Sequence, residues 1–124
     1  MGFHDGVRPS VSAKTIDRCF EAAREDYAAL PVMPVTDTLR FTGGSSAGRN
    51  VPRSDYRIVQ TPQVFDIALA KQAFRQPYRD AFTDDASVVE SLGCQVRMVE
   101  GNRENIKLTT PFDLQLADFI IKQQ

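Results

Sequence analysis

Residues Asn105-Ile106-Lys107-Leu108-Thr109-Thr110-Pro111-Phe112-Asp113-Leu114 carry the clearest structural signal in this chain. Thr110 can cap a helix, Pro111 fits its first turn, and Asp113 lies where the acid of a capping box belongs. We therefore predict a helix over residues 111–122, preceded by the end of a strand that carries Lys107. Because backbone N–H groups at a helix entrance attract anions, a lysine beside that entrance favours a phosphorylated ligand.

Strands and helices alternate along the rest of the chain. The predicted elements are a helix at 11–27 with Ser12 as its cap, a buried strand at 29–35, a helix at 65–74, a short helix at 86–92 capped by Asp84 or Thr83 and closed by Gly93, and a strand at 95–99. In the last helix the predicted buried side consists of Phe112, Leu116, Phe119 and Ile120. Such alternation is typical of right-handed βαβ units and predicts a parallel sheet.

Residues 37–57 differ from this pattern. They are largely polar and contain three glycines, and the segments Leu39-Arg40-Phe41 and Tyr56-Arg57-Ile58-Val59 stand near their two ends. We predict a two-stranded arm closed by the Gly-Gly-Ser-Ser-Ala-Gly loop at 43–48. Since an isolated two-stranded ribbon is only marginally stable in water, this arm is expected to pack on another surface.

Composition is that of an ordinary globular domain, with 42% hydrophobic and 25% charged residues. A formal net charge of −1 argues against a nucleic-acid-coating surface. We expect no membrane span and no secretory signal, and hence a cytoplasmic location. Cys19 and Cys94 have no metal or disulfide motif around them and are interpreted as small buried hydrophobes.

Four further segments carry a family resemblance together with the one quoted first. They are His4-Asp5-Gly6-Val7-Arg8-Pro9, Pro34-Val35-Thr36-Asp37-Thr38, Gln60-Thr61-Pro62-Gln63-Val64-Phe65 and Thr83-Asp84-Asp85-Ala86-Ser87. In this order and spacing the chain resembles the C-terminal half of the 2-C-methyl-D-erythritol 4-phosphate cytidylyltransferase family, over essentially all of its length. The resemblance implies an α/β fold, a partial Rossmann-like nucleotidyltransferase sheet with a protruding two-stranded dimerisation arm. Residues 1–124 would form one partial domain, with the arm at about 37–58.

The resemblance also implies a reaction, in the non-mevalonate isoprenoid pathway. The family transfers CMP from CTP to 2-C-methyl-D-erythritol 4-phosphate with release of pyrophosphate, uses Mg²⁺, and dimerises through the arm. Its glycine-rich triphosphate loop has no counterpart in this sequence, so we expect a truncated form that is inactive alone. Two alternatives stay open: a ribitol-5-phosphate cytidylyltransferase, which shares Gln-Thr-Pro-Gln and Asn-Ile-Lys, and a non-catalytic dimerising or phosphate-binding remnant. The stretch at 34–38 favours the isoprenoid enzyme.

Lys107 and Arg53 match the family residues that position the substrate. Lys107 corresponds to the lysine that orients methylerythritol phosphate, although an exposed lysine near a loop is the common structural alternative. Arg53 corresponds to an arm arginine that holds the same phosphate from the neighbouring subunit, and its planar fork suits that task. Arg49 and Arg57 lie close enough in sequence to leave this second match open.

Hydroxyl and acidic residues complete the implied site. Thr38, Thr61 and Thr83 match positions around the substrate phosphate, although Thr61 and Thr83 could equally be helix caps. Asp5 and Arg8 match the acid and base of the His-Asp-x-x-Arg-Pro turn near the nucleotide, where Asp5 could bind Mg²⁺. The alternative is an Asp–Arg pair that merely fixes a turn.

Two remaining polar features are interpreted as structural. His4 is the only histidine in the chain, and catalysis or metal binding would need supporting partners that its sequence context does not provide. The pair Asp84-Asp85 is explained by capping and by the favourable interaction of acids with a helix N-terminus.

Overall fold

The secondary structure alternates as expected for an α/β protein. A computed structural model describes residues 1–46 and 48–123. In chain order its elements are β1 (Gly2–Phe3), α1 (Ala13–Asp26), β2 (Ala28–Pro34), β3 (Leu39–Phe41), β4 (Arg49–Val51), β5 (Arg57–Val59), β6 (Gln63–Phe65), α2 (Ile67–Ala73), α3 (Asp85–Glu90), β7 (Arg97–Glu100) and α4 (Pro111–Lys122).

Strand β2 is the centre of the main sheet. Its sequence, Ala-Ala-Leu-Pro-Val-Met-Pro, is apolar throughout, as suits a strand with neighbours on both sides. One edge pairs in parallel with β7 over residues 29–32. The other edge pairs antiparallel with β6 at residues 28–29 and with β5 at residues 32–34. Strand β1 adds to β6, also antiparallel.

The sheet is therefore mixed, and the expectation of a parallel sheet was wrong for most of its pairs. Among the described pairs of neighbouring strands, only β2 and β7 are parallel, and these two are joined by a long connection that contains helices α2 and α3. Strands β5 and β6 follow the arm, which leaves the sheet after β2 and returns to it, so the returning chain runs antiparallel as in a hairpin.

Helices cover both faces of this sheet. Successive β2 residues point to opposite sides: Ala29 packs with Cys19, Ala22 and Val64 on the α1 side. Its neighbours Ala28 and Leu30 join a second cluster that includes residues of α2 and α3, with Phe65, Ala70, Ala73 and Val89 as members. This three-layer arrangement confirms the predicted α/β class.

Local sequence signals fix most helix ends. Ser12 caps α1 by accepting the Thr15 N–H at 3.1 Å, as predicted. Of the two candidate caps for α3, Asp84 is the one that is used, and it forms a capping box with Ser87. Gly93 follows with a φ of 86°, the left-handed conformation in which glycine avoids strain.

The predicted helix at 65–74 was wrong at its start. Residues Gln63–Phe65 form strand β6, and α2 begins only at Ile67, capped by Asp66, which accepts the Leu69 N–H at 3.2 Å. Pairing of β6 with two neighbouring strands overrides the local pattern, because a short apolar run before a cap fits a strand or a helix equally well.

A separate two-stranded sheet forms within the predicted arm, but the predicted second strand at 56–59 was wrong, because residues Arg57–Val59 form β5 and pair with β2 in the main sheet. Strands β3 and β4 pair antiparallel, with Leu39 opposite Val51 and Phe41 opposite Arg49. Within the predicted loop at 43–48, residues Gly44–Ser46 form a 3₁₀ turn, and Ala47 lies outside the described residues. The Arg49 guanidinium lies 4.8 Å from the centre of the Phe41 ring. This cation–π contact ties the two arm strands together.

Helix α4 has the predicted bounds, with Thr110 as its cap and Asp113 in the capping box. Its predicted buried side was wrong: Phe112 is 69% and Phe119 60% exposed, and Leu116 is 36% exposed. Ile120 is half-buried, and Ala117 is the one buried residue of this helix. A periodic pattern tells which face of a helix is apolar, but not whether another layer covers that face.

The expected strand before α4 is also absent from the described residues, since the segment after β7 is irregular up to α4.

No helix among the residues that the structure describes is long and apolar enough to cross a membrane.

Candidate functional site

Three loops meet at one edge of the main sheet. They are the turn at 4–9 after β1, the junction at 60–62 between β5 and β6, and the segment at 101–109 after β7. Because β1, β2 and β7 run in the same direction, the first and third loops both lie at the carboxyl ends of strands. Ligands of open α/β sheets bind at such ends.

Backbone and side-chain hydrogen bonds join these loops directly. The Asp5 N–H donates to Thr61 Oγ1 at 3.1 Å, and the Leu108 N–H donates to the Val7 carbonyl at 2.8 Å. Asn105 Nδ2 donates to the Thr61 carbonyl at 2.8 Å. The structure thus brings together Asp5, Thr61 and the segment that carries Lys107.

Arg8 joins two of these loops and the end of β5. Its Nε donates to Asp5 Oδ2 at 3.2 Å, one terminal nitrogen donates to the Asn105 carbonyl at 2.8 Å, and the other reaches the Val59 carbonyl at 3.4 Å. The Arg8 side chain is only 12% exposed, whereas that of Asp5 is 41% exposed. Asp5 and Arg8 form the pair that the sequence left open as an alternative, and Arg8 also bonds residues far outside this turn.

The Thr61 hydroxyl already has two partners. Besides accepting from Asp5, it bonds His4 Nδ1 at 2.9 Å, and His4 Nε2 bonds the Arg8 carbonyl at 2.8 Å. A carbonyl can only accept, so in neutral His4 the Nε2 carries the proton and Nδ1 accepts the Thr61 hydroxyl proton. Thr61 precedes strand β6, so it is not a helix cap.

Lys107 is exposed, and it lies four residues before Pro111 at the entrance of α4. Several backbone N–H groups at that entrance are already bonded within the helix cap and are not free to bind an anion. Asp113 Oδ2 accepts the N–H groups of Thr109 and Thr110, each at 3.0 Å, and Thr110 Oγ1 accepts the Asp113 N–H at 3.2 Å. These bonds, with those from Thr109 the largest, lower the pKa of the Asp113 carboxyl. Any attraction of this entrance for an anion therefore depends mainly on Lys107.

The arm residues form a separate group. One Arg53 terminal nitrogen donates to the Thr36 carbonyl at 2.8 Å, and Thr38 lies two residues beyond, exposed. Among the described residues, no hydrogen bond joins Arg53 or Thr38 to Lys107 or Thr61. Within one chain, the predicted site residues thus fall into a loop group and an arm group.

Gln63 attaches helix α3 to the sheet. Its Nε2 donates to Asp84 Oδ2 at 3.0 Å and its Oε1 accepts the Ala86 N–H at 2.8 Å, while Thr83 lies exposed next to this contact. Burial raises the pKa of the Asp85 carboxyl, and the negative charges of Asp84 and then Asp5 raise it further. The start of α3 therefore faces the same sheet edge as Asp5.

The described residues contain no group of three or more His, Cys, Asp or Glu side chains able to hold a metal ion. The described residues therefore do not form a metal site made of protein ligands alone. Magnesium, however, commonly keeps water and phosphate ligands and needs only one or two carboxylates. The partly exposed Asp5 carboxylate, bonded to Arg8 through Oδ2, fits that smaller contribution.

Sequence reasoning missed three carboxamide side chains at this edge. Asn105 and Gln60 are 0% and 5% exposed, and Asn102 Nδ2 donates to the Ser10 carbonyl at 3.0 Å. Two of these residues lie inside the quoted motifs, so the motifs contained the signal. Burial of an amide side chain depends on distant parts of the chain and cannot be read from its neighbours.

Comparisons with known proteins agree over nearly the whole chain. The model of the 2-C-methyl-D-erythritol 4-phosphate cytidylyltransferase family matches residues 2–123. The enzyme of that name from Phocaeicola vulgatus is 55% identical over 121 residues, which cover 98% of this chain and 55% of that protein. The one from Bacteroides thetaiotaomicron is 50% identical with the same coverage.

Solved structures agree as well. The crystal structure of 2-C-methyl-D-erythritol 4-phosphate cytidylyltransferase from Thermus thermophilus superposes with a TM-score of 0.86 at 42% identity, covering 98% of this chain and 61% of that one. The Francisella tularensis enzyme gives 0.81 at 27% identity, covering 95% and 57%. The chain spans about half the length of the curated relatives it matches. On these grounds the chain belongs to the 2-C-methyl-D-erythritol 4-phosphate cytidylyltransferase family.

Proposed function

We propose that this chain provides the sugar-phosphate side of a cytidylyltransferase that transfers CMP from CTP to 2-C-methyl-D-erythritol 4-phosphate. The observation that carries the proposal is the convergence of three loops at one sheet edge, where Asp5, Arg8 and Thr61 are hydrogen-bonded together beside the segment that carries Lys107. The names of its relatives support the choice of reaction.

In the proposed reaction, an oxygen of the sugar phosphate attacks the α-phosphorus of CTP in line, and the bond to pyrophosphate breaks. Both reactants are anions, so catalysis rests on positioning and on positive charge. Lys107 would hold the sugar phosphate, with hydroxyl donors from Thr38 and Thr83. For the Thr61 hydroxyl to donate to the phosphate, it would have to give up its present bond to His4 Nδ1.

Asp5 and Arg8 would lie near the nucleotide. Arg8 is largely buried and occupied by three acceptors, so its proposed task is to hold the turn that presents Asp5. Asp5 would supply one carboxylate ligand to Mg²⁺. When bound, the metal would offset the negative charge of the phosphates.

Arg53 is proposed to act on the phosphate site of a second subunit, reached by the arm in a homodimer. Two observations support this. The Arg53 side chain bonds only the Thr36 carbonyl among the described residues. Residues 37–56, which precede β5, hold three arginines and two aspartates, a net charge of +1, which leaves −2 on the rest of the chain. Charge complementarity of this kind would favour packing of the arm on another subunit's body.

Calorimetric titration of the purified chain tests the proposal, with methylerythritol phosphate first and then CTP with Mg²⁺, while pyrophosphate release is followed in parallel. Lys107→Ala should weaken sugar-phosphate binding at least tenfold, the loss of about 1.4 kcal/mol. Lys14→Ala, at an exposed lysine on α1, is the matched control and should change nothing.

The outcomes separate the alternatives. Tighter binding of ribitol 5-phosphate than of methylerythritol phosphate would favour the ribitol-5-phosphate enzyme. Sugar-phosphate binding without CTP binding or turnover would indicate a phosphate-binding remnant. If neither sugar phosphate binds, or if Lys107→Ala and Lys14→Ala behave alike, the proposed site is wrong.

A further inference from the structure

We propose that Asn105 is a positioning residue that sets the place of Lys107, and through it the affinity for the substrate phosphate. The inference rests on the proposed function, since it assumes that Lys107 holds that phosphate. It assigns a task to a buried side chain that does not itself contact substrate.

Asn105 is the fixed point that precedes Lys107. It is 0% exposed, and its Nδ2 donates to the Thr61 carbonyl at 2.8 Å and to Gln60 Oε1 at 3.3 Å. Its own carbonyl accepts from Arg8 at 2.8 Å. Both its side chain and its backbone are therefore bonded to the two other loops of the site.

A second fixed point lies just after Lys107. The Leu108 N–H donates to the Val7 carbonyl at 2.8 Å. Only Ile106 and Lys107 lie between the two attachments, in a segment with no helix or strand pairing of its own. The Lys107 backbone is thus held from both sides.

Gln60 in turn fixes the direction of the Asn105 amide. Gln60 Nε2 donates to the Asn102 carbonyl at 2.9 Å, which leaves its Oε1 for Asn105. Gly101 lies so close to Gln60 Oε1 that a side chain there would collide with it. The amide acceptors are therefore in place before any ligand arrives, as preorganised binding requires.

The competing explanation is that Asn105 only satisfies buried hydrogen bonds. A double-mutant cycle distinguishes the two, because a residue that acts through Lys107 must lose its effect once Lys107 is changed. Lys107→Gln is the suitable background, since it removes the charge but keeps a hydrogen-bond donor that preserves measurable affinity.

The test is calorimetry of the full chain with methylerythritol phosphate, with thermal unfolding recorded for every variant. With Lys107 present, Asn105→Ala should weaken binding about tenfold, because a displaced Lys107 would lose its contact with the phosphate. In the Lys107→Gln background it should weaken binding less than about twofold. Equal fold-losses in both backgrounds, or no loss with Lys107 present, would overturn the inference.

Gln60→Met covers the case in which Asn105→Ala does not fold. It removes one acceptor of the Asn105 amide, keeps the bond to Thr61, and should weaken binding about threefold only with Lys107 present. The same fold-loss in both backgrounds, or none with Lys107 present, would again count against Asn105. Failure of the proposed function has a different signature: Lys107→Gln alone would leave binding unchanged.

Discussion

Arg8→Lys should destabilise this chain far more than the retained positive charge would suggest. Lysine keeps the charge but has a single ammonium in place of a planar fork. It can retain the contact with Asp5 at the surface, yet it cannot also reach the Asn105 carbonyl and the Val59 carbonyl.

The magnitude follows from which acceptor is left without a donor. Asn105 is fully buried, and an unsatisfied buried carbonyl costs about 1–3 kcal/mol. The Asp5 pair is partly exposed and contributes about 0–1 kcal/mol, which lysine can keep. The Val59 contact at 3.4 Å is too long to add much. We expect a loss of about 2 kcal/mol, or about 8 °C in Tm at the unfolding entropy usual for this length.

Thermal and urea unfolding followed by circular dichroism measure this loss. Arg97→Lys is the matched control, because Arg97 also bonds more than one acceptor but does so at the surface, to Glu25 at 2.8 Å and Asp26 at 3.0 Å. It should cost clearly less than Arg8→Lys, because exposed ion pairs contribute little. Equal losses for the two substitutions would refute the argument from the buried carbonyl. Asp5→Asn should also cost less than Arg8→Lys, and the reverse order would assign the effect to the ion pair.

Two further predictions concern cysteine chemistry and the surface of α4. Burial raises the pKa of the Cys19 thiol from 9.0 to about 11, so iodoacetamide at about pH 8 should label the half-buried Cys94 and spare Cys19 until the chain is unfolded. The stability that Cys19 contributes as a neutral thiol is complete below its unfolded pKa of 9.0 and is lost as the pH rises toward about 11. The free energy of unfolding should therefore fall over this pH range relative to that of Cys19→Ala. The absence of such a fall would contradict the raised pKa. On α4, Phe119→Ser at a 60% exposed position should change the unfolding free energy by less than about 0.5 kcal/mol, whereas Ala117→Asp at a 5% exposed position should cost more than about 2 kcal/mol. Chemical denaturation of both variants checks this contrast, and equal effects would mean that α4 is not packed through Ala117.

Several features of the fold were predictable because their causes are local. The caps Ser12, Asp84 and Thr110 bond N–H groups three residues away, and the glycine-containing loop at 43–48 indicates that the chain reverses after β3, although it does not tell which later residues pair with that strand. The start of α2 was not predictable in this way, because pairing of β6 with strands far away in sequence competes with the helical pattern.

In the candidate site, too, the residue types were predictable from local sequence, whereas the contacts between them were not. Lys107, Thr61, Asp5 and Arg8 could be singled out from motifs, and their chemical types suggest phosphate binding without any knowledge of the fold. Their connections could not be singled out, because Arg8 finds its acceptors 97 and 51 residues away in the chain. The occupied state of the Thr61 hydroxyl likewise depends on His4, which is 57 residues distant.

The sequence by itself determined the α/β class, the reversing loop of the arm, the bounds of α4 and the family resemblance, since each depends on residue types within a few positions of one another. Only the tertiary structure decided that β5 and β6 return antiparallel, that Gln60 and Asn105 are buried, and that the apolar face of α4 is exposed. The physical reason is that burial and hydrogen-bond partnership belong to pairs of residues distant in the chain, and their free energies depend on which surfaces meet once the chain has folded.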